Sequence, residues 1–208
     1  MKIAIMGAQC TGKSTLIKEF ISTWPMYKTP EITYRDLIKD ENLKLNKESD
    51  ERTQKVILNA VIDEVQQASL MDTDFVIFDR CVLDQIAYTL WLNDNGKVSD
   101  NYVMDAKYLV SQTLKLYDLI FYVPVRPEIK MVEKENRDTD PTFQKEIDNI
   151  MDAVVLSYEK GSTVFFPRED CPAIIRLEGP PDLRVPQIKL YLKENGKCYG
   201  VSDKSLIA

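Results

Sequence analysis

The feature that most limits how this chain can fold lies near its start. Gly7-x-x-x-x-Gly12-Lys13-Ser14 follows the apolar run Ile3-Ala4-Ile5-Met6 and precedes Leu16, Ile17, Phe20 and Ile21, which recur with helical spacing. A buried strand that breaks at glycine into a loop and continues as a helix is the framework of a phosphate-binding loop. Glycine at positions 7 and 12 opens backbone angles that other residues avoid. The amides of Gly7, Ala8, Gln9, Cys10, Thr11, Gly12, Lys13, Ser14 and Thr15 can therefore turn inward around phosphate oxygens. The helix opening adds unpaired N–H groups and the positive end of its dipole. In such a loop Lys13 supplies a point charge to the β- and γ-phosphates, and the Ser14 hydroxyl suits Mg²⁺. The motif implies a nucleoside triphosphate and is silent about its fate.

A chain of 208 residues fits one domain with a real core, and 44% hydrophobic with 29% charged residues is ordinary for a globular protein. A net charge of −6 argues against a surface that grips nucleic acid along its whole extent. The sequence contains no histidine, and Cys10, Cys81, Cys171 and Cys198 show no metal-ligand spacing. Zinc sites and histidine-based proton transfer are thereby set aside, and carboxylates must handle protons. No apolar run reaches the roughly 18 to 20 residues that span a bilayer, so no membrane partner and a cytoplasmic location are expected.

Further along, Phe75-Val76-Ile77-Phe78 reads as a second buried strand and ends in Asp79-Arg80. An aspartate at such a strand end is what a nucleotide-hydrolysing or nucleotide-transferring fold uses to place a carboxylate beside the loop's Mg²⁺. Arg80 suits a phosphate, or a structural ion pair with Asp79 or Asp84. Leu119 to Val123 and Ala173 to Leu177 read as two more strands. Apolar stripes predict helices around 57–68, ending near Met71, and around 86–91, 106–117, 143–158 and 185–192. Residues 26–30 are expected to be extended, and 97–104 to form a polar connector. Glu31 and Arg35 would share one face of a helix over 31–38. Strands alternating with helices imply a parallel sheet covered on both sides. The charged stretch at about 126–145 reads either as a solvated face or as a lid whose arginine stabilises a transferring phosphoryl group. Residues 1–195 read as one domain, with 196–208 a loosely held tail.

Taken in order, the landmarks are Gly7 to Thr15, Pro30-Glu31-x-x-Arg35, Phe78-Asp79-Arg80-x-x-x-Asp84, Asn136-Arg137-Asp138 with Phe143 and Asp148, and Gly179-Pro180-Pro181-x-x-Arg184-Val185. In these the chain resembles the P-loop nucleoside and nucleotide kinases. It is most similar to the AAA-type ATPase/kinase-like family that includes ribosylnicotinamide kinase domains and phage thymidylate-kinase-like proteins. The resemblance implies an α/β three-layer sandwich with a five-stranded parallel sheet of order 2-3-1-4-5, helices on both faces, and a lid after the fourth strand. It also implies an acceptor site of Glu31, Arg35, Asp79, Arg80 and Asp84, and an ATP purine held near residues 179–184, with Pro180 among its contacts. The residues by which thymidylate kinases read thymine have no match here.

The expected chemistry is phosphoryl transfer from ATP, with Mg²⁺ at Ser14 and Asp79, to a nucleoside or nucleotide-like acceptor. Lys13, Asp79, Arg80, Glu31 and Arg137 form the catalytic set, and either Asp79 or Glu31 takes the acceptor's proton. Three other readings, the first a GTPase switch, fit the sequence less well. A guanine-reading Asn-Lys-x-Asp is missing, since Asn46-Lys47-Glu48 runs into Ser49. A motor or regulatory ATPase is disfavoured, since no accessory module is evident in the sequence. A kinase acting on a hydroxymethylated base in phage DNA is disfavoured by the acidic charge, although basic residues along 126–145 offer a local groove. The helix faces at 57–68 and 84–92 suit either a core or a homodimer interface.

Overall fold

Strand β1 (Lys2–Met6) is sandwiched because its side chains alternate between two cores. Ile3 and Ile5 point to one face and pack with Leu16, Ile17 and Phe20 of α1 (Lys13–Thr23). Ala4 and Met6 point to the other, where α2 (Glu51–Leu70), α3 (Val82–Asp94), α4 (Asp100–Leu114) and α5 (Pro141–Glu159) gather. The same alternation runs through β2 (Val76–Asp79) and β3 (Leu119–Tyr122). It explains why these strands read as unbroken apolar runs. The structure, a computed structural model, describes residues 1–31, 33, 36, 43–70, 75–129, 139–160 and 171–199.

With β4 (Ala173–Arg176) the strands form a parallel sheet of order β2-β1-β3-β4. Helices cover both faces, as expected. Five strands were expected, and among the described residues there are four. Outside β2, where a fifth would lie, Lys28 makes a single parallel bridge to Val76. Its N–H donates to the Phe75 carbonyl at 3.1 Å, and its carbonyl accepts from Ile77 N at 2.9 Å. Pro30, two residues on, has no N–H with which to extend the ladder.

Two other boundaries differ from expectation. Residues 100–104 are helical, because the Ser99 hydroxyl accepts from Tyr102 N at 3.2 Å and caps α4. The segment expected as a lid ends at Asp140, whose Oδ1 accepts from Thr142 N at 2.8 Å ahead of Pro141 at the start of α5. Of that segment, residues 130–138 lie outside the described residues, as do most of 31–42. The stretch after 195 is held as far as Tyr199, beyond the short helix α6 (Arg184–Ile188). Tyr27 Oη donates to the Gly196 carbonyl at 2.7 Å, and Cys198 is buried against α1's core. No helix of the described residues is long and apolar enough to cross a membrane.

Candidate active site

The register of the sheet decides where the site lies. Ile5 pairs with Asp79 and Met6 with Tyr122, so β1, β2 and β3 all end on one rim. The chain leaves β1 for a neighbour on either side, and ligands in such sheets bind at the carboxyl ends beside that switch point. The loop from Gly7 to Gly12 occupies it. Gly12 has φ +85° and stands directly before α1, so the loop amides and the helix opening face the rim together. Gly7 is fixed by space, since a Cβ there would lie 2.4 Å from the Val123 carbonyl oxygen.

Across this rim the Ser14 hydroxyl donates to Asp79 Oδ2 at 3.1 Å. The two oxygen-bearing side chains expected to share a metal are thus adjacent, one from the first turn of α1 and one from the end of β2. Lys13 is 5% exposed, and its Nζ donates to the carbonyls of Gly7 at 2.7 Å and Ala8 at 2.6 Å. The lysine therefore lies across its own loop.

Behind Asp79 the turn into α3 is tight. Arg80 adopts φ +110°, an unfavourable angle for a residue with a Cβ, and its N–H donates to the Ile5 carbonyl at 3.1 Å. Its guanidinium lies 3.6 Å from Asp84 Oδ1 and stacks 5.2 Å from the centre of the Tyr88 ring. Of the two readings of Arg80, the ion pair with Asp84 is present. Asp84 is fully buried, its Oδ1 accepting from Gly7 N at 3.0 Å and its Oδ2 from Cys81 N at 2.8 Å. Burial pushes its carboxyl above the usual range, opposed by the charges of Arg80 and Lys13. The sequence placed Asp84 among acceptor contacts, whereas in the fold it braces the loop from beneath.

On the side of the loop away from Asp84, Arg184 is 2% exposed and donates from Nη1 to the Thr11 carbonyl at 2.8 Å. It lines a cleft of about 160 Å³ together with Gly12, Thr15, Leu16, Ile129 and Pro181. Pro181 lines this wall, and its neighbour Pro180 does not, though both are exposed. The Gly-Pro-Pro-x-x-Arg spacing carried the signal for Arg184, which the site residues read from the sequence omitted. Sequence reasoning also passed over Tyr88 and Gln144, which hold Gln9: Tyr88 Oη donates to Gln9 Oε1 at 2.8 Å, and Gln144 Nε2 to the Gln9 carbonyl at 2.6 Å. Asp84 and Tyr88 stand four residues apart on one face of α3, a spacing that could have found Tyr88. Glu31 is exposed, and Arg35 and Arg137 lie outside the described residues.

The chain entering the segment expected as a lid is held as well. Asp148 of α5 accepts from Val125 N at 3.1 Å and from Tyr122 Oη at 2.8 Å. Arg126 pairs with Glu178 on the far strand's exit.

Comparison with solved structures returns the same architecture. A deoxyadenosine kinase from M. mycoides superposes with TM-score 0.62 at 18% identity over 91% of this chain and 97% of its own. Thymidylate kinase from Candida albicans gives 0.58 at 18% identity over 91% and 88%. NadR, solved with NAD and AMP-PNP, gives 0.60 at 13% identity over 86% of this chain, which spans 44% of that longer protein. At these identities the likeness shows the fold. Comparison with curated protein sequences finds no match. A family model described as AAA domain matches residues 2–160, more than half of the chain and including the loop, Asp79 and Arg80, so the protein belongs to that AAA-domain family.

Proposed function

We propose that this protein is a kinase that transfers the γ-phosphate of ATP to a nucleoside or nucleotide-like acceptor. The observation that carries the reading is the 3.1 Å contact between Ser14 Oγ and Asp79 Oδ2 at the rim beneath the loop amides. One hydroxyl and one carboxylate suit Mg²⁺, which prefers hard oxygen ligands and usually keeps several waters beside one or two carboxylates and the substrate's phosphates. When bound, that ion would neutralise charge on the phosphates.

The chain's own residues supply the rest. Loop amides and the start of α1 hold the triphosphate, and Lys13 moves from its two carbonyl partners to phosphate oxygens. The purine lies in the cleft between Thr15, Leu16, Pro181 and Arg184. Arg80, fixed by Asp84 and Tyr88, lends its charge to the acceptor, and Glu31 and Arg35 are the further acceptor-binding residues. Arg137 comes from the segment between Val125 and Asp140. Because Asp79 Oδ2 already accepts from Ser14, Asp79 serves the metal side, and Glu31 takes the acceptor's proton.

The test is transfer of labelled phosphate from ATP to free nucleosides, nucleotides and duplexes carrying hydroxymethylated bases, run side by side. Transfer to a small nucleoside or nucleotide, with little ATP hydrolysis alone, supports the reading. ATP hydrolysis stimulated by a macromolecule without transfer overturns it, and transfer confined to duplexes moves the acceptor to DNA.

A further inference from the structure

Gln9 is 6% exposed, yet its Nε2 has no hydrogen-bond partner among the described residues. A buried amide nitrogen without a partner is rare enough in folded proteins to call for an occupant. The rest of the residue is held firmly. Tyr88 Oη occupies Oε1, and Gln144 Nε2 occupies the main-chain carbonyl. The same Tyr88 carries the Arg80 guanidinium on its ring at 5.2 Å, so one side chain orients both the unpartnered donor and the arginine beside Asp79. The purine cleft at Arg184 lies elsewhere on the loop, reached through Thr11 and Gly12.

We propose that Gln9 determines acceptor specificity: its carboxamide nitrogen donates to a hydroxyl or phosphate oxygen of the phosphoryl acceptor, and Tyr88 positions it. The inference rests on the kinase reading above and deepens it. A site built to donate a hydrogen bond rejects an analogue lacking the matching oxygen, because its own buried N–H is then left unpaired. The acceptor must therefore present a lone-pair oxygen to the side of the loop that faces α3 and α5.

The experiment uses the best acceptor found for the wild-type chain. Gln9→Leu removes the donor, and Gln9→Glu keeps an acceptor for Tyr88 while replacing the donor by a carboxylate. Both are expected to lower kcat/KM for the acceptor by about tenfold or more, with the KM for ATP within about twofold of wild type. Tyr88→Phe, which keeps the ring under Arg80, is expected to give a smaller loss of the same kind. Unchanged acceptor kinetics in Gln9→Leu overturns the proposal, as does an effect on the KM for ATP alone. Should the variants not fold, acceptor analogues each lacking one oxygen other than the one that is phosphorylated decide the matter on the wild-type chain. One of them should lose at least about tenfold in kcat/KM, and if none does the proposal fails. Absence of transfer to every acceptor overturns the kinase reading and this inference together, whereas robust transfer indifferent to Gln9 and to every oxygen deletion overturns this inference alone.

Discussion

The amide of Gly7 donates to Asp84 Oδ1 at 3.0 Å, across 77 residues of sequence. Through that bond the turn carrying Asp79 and Arg80 is tied to the first residue of the phosphate loop. The two ends of the site are therefore hydrogen-bonded to each other.

Asp84→Ala removes the acceptor of two buried amides and leaves the Arg80 charge, whose side chain is 11% exposed, without this carboxylate. Breaking a buried pair of this kind costs about 3 kcal/mol or more. Urea denaturation is expected to show that loss. A change below about 1 kcal/mol would show that the carboxylate does not brace the loop.

Gly7→Ala places a methyl 2.4 Å from the Val123 carbonyl oxygen, part of a backbone that cannot rotate aside. Strands β1 and β3 must separate, at a cost of about 2 kcal/mol or more. Gly96→Ala is the internal control: φ is +68°, but nothing lies within 4 Å, so only the left-handed backbone penalty of about 1 kcal/mol applies. Thermal melts of the two variants should rank in that order, and equal melts would deny the close approach at Gly7.

Asp79→Asn and Lys13→Ala are each expected to lower kcat by about a hundredfold or more while circular dichroism stays native. Ser14→Ala should fall in the same direction, since its hydroxyl donates to Asp79 Oδ2 at 3.1 Å. Near-normal turnover in Asp79→Asn would remove the rim carboxylate from the chemistry.

Arg184→Ala opens one wall of the cleft and frees the Thr11 carbonyl. The KM for ATP is expected to rise about tenfold with the acceptor KM little changed. If the acceptor term moves instead, the cleft belongs to the other substrate.

Burial raises the pKa of Asp148 above its ordinary 3.8; Asp152 adds to the rise, while the Tyr122 hydroxyl, Val125 N and Arg176 oppose it. The folded state thus binds this proton more tightly than the unfolded chain does. Its contribution to stability is complete below the ordinary value and is lost as pH rises through the raised one. Asp148→Asn removes that dependence. Measured against wild type in urea, the variant's deficit should be largest near about pH 4 and shrink toward about pH 7. A deficit that grows with pH would reverse the sign of the shift.

The loop at 7–15, the alternating apolar strands and the aspartate ending β2 could be read from the chain because their information is local. Glycine spacing, helical period and strand termini need no distant partner. Residues such as Glu31 and Asp84 stand beside recognisable motifs, but adjacency in sequence does not say whether a carboxylate faces a ligand or lies under a loop. Asp84 became a brace because the register of β1 against β2 brings Gly7 over it.

By itself, then, the sequence determined that a triphosphate loop sits between a buried strand and a helix, and that a carboxylate-tipped strand stands in the same fold. Only the tertiary structure decided that Asp79 meets Ser14, that Arg184 closes the far side of the loop at Thr11, and that Tyr88 shares itself between Arg80 and Gln9. The reason is physical: a hydrogen bond between residues 65 to 173 positions apart is set by strand order and helix packing, which no short window of sequence contains.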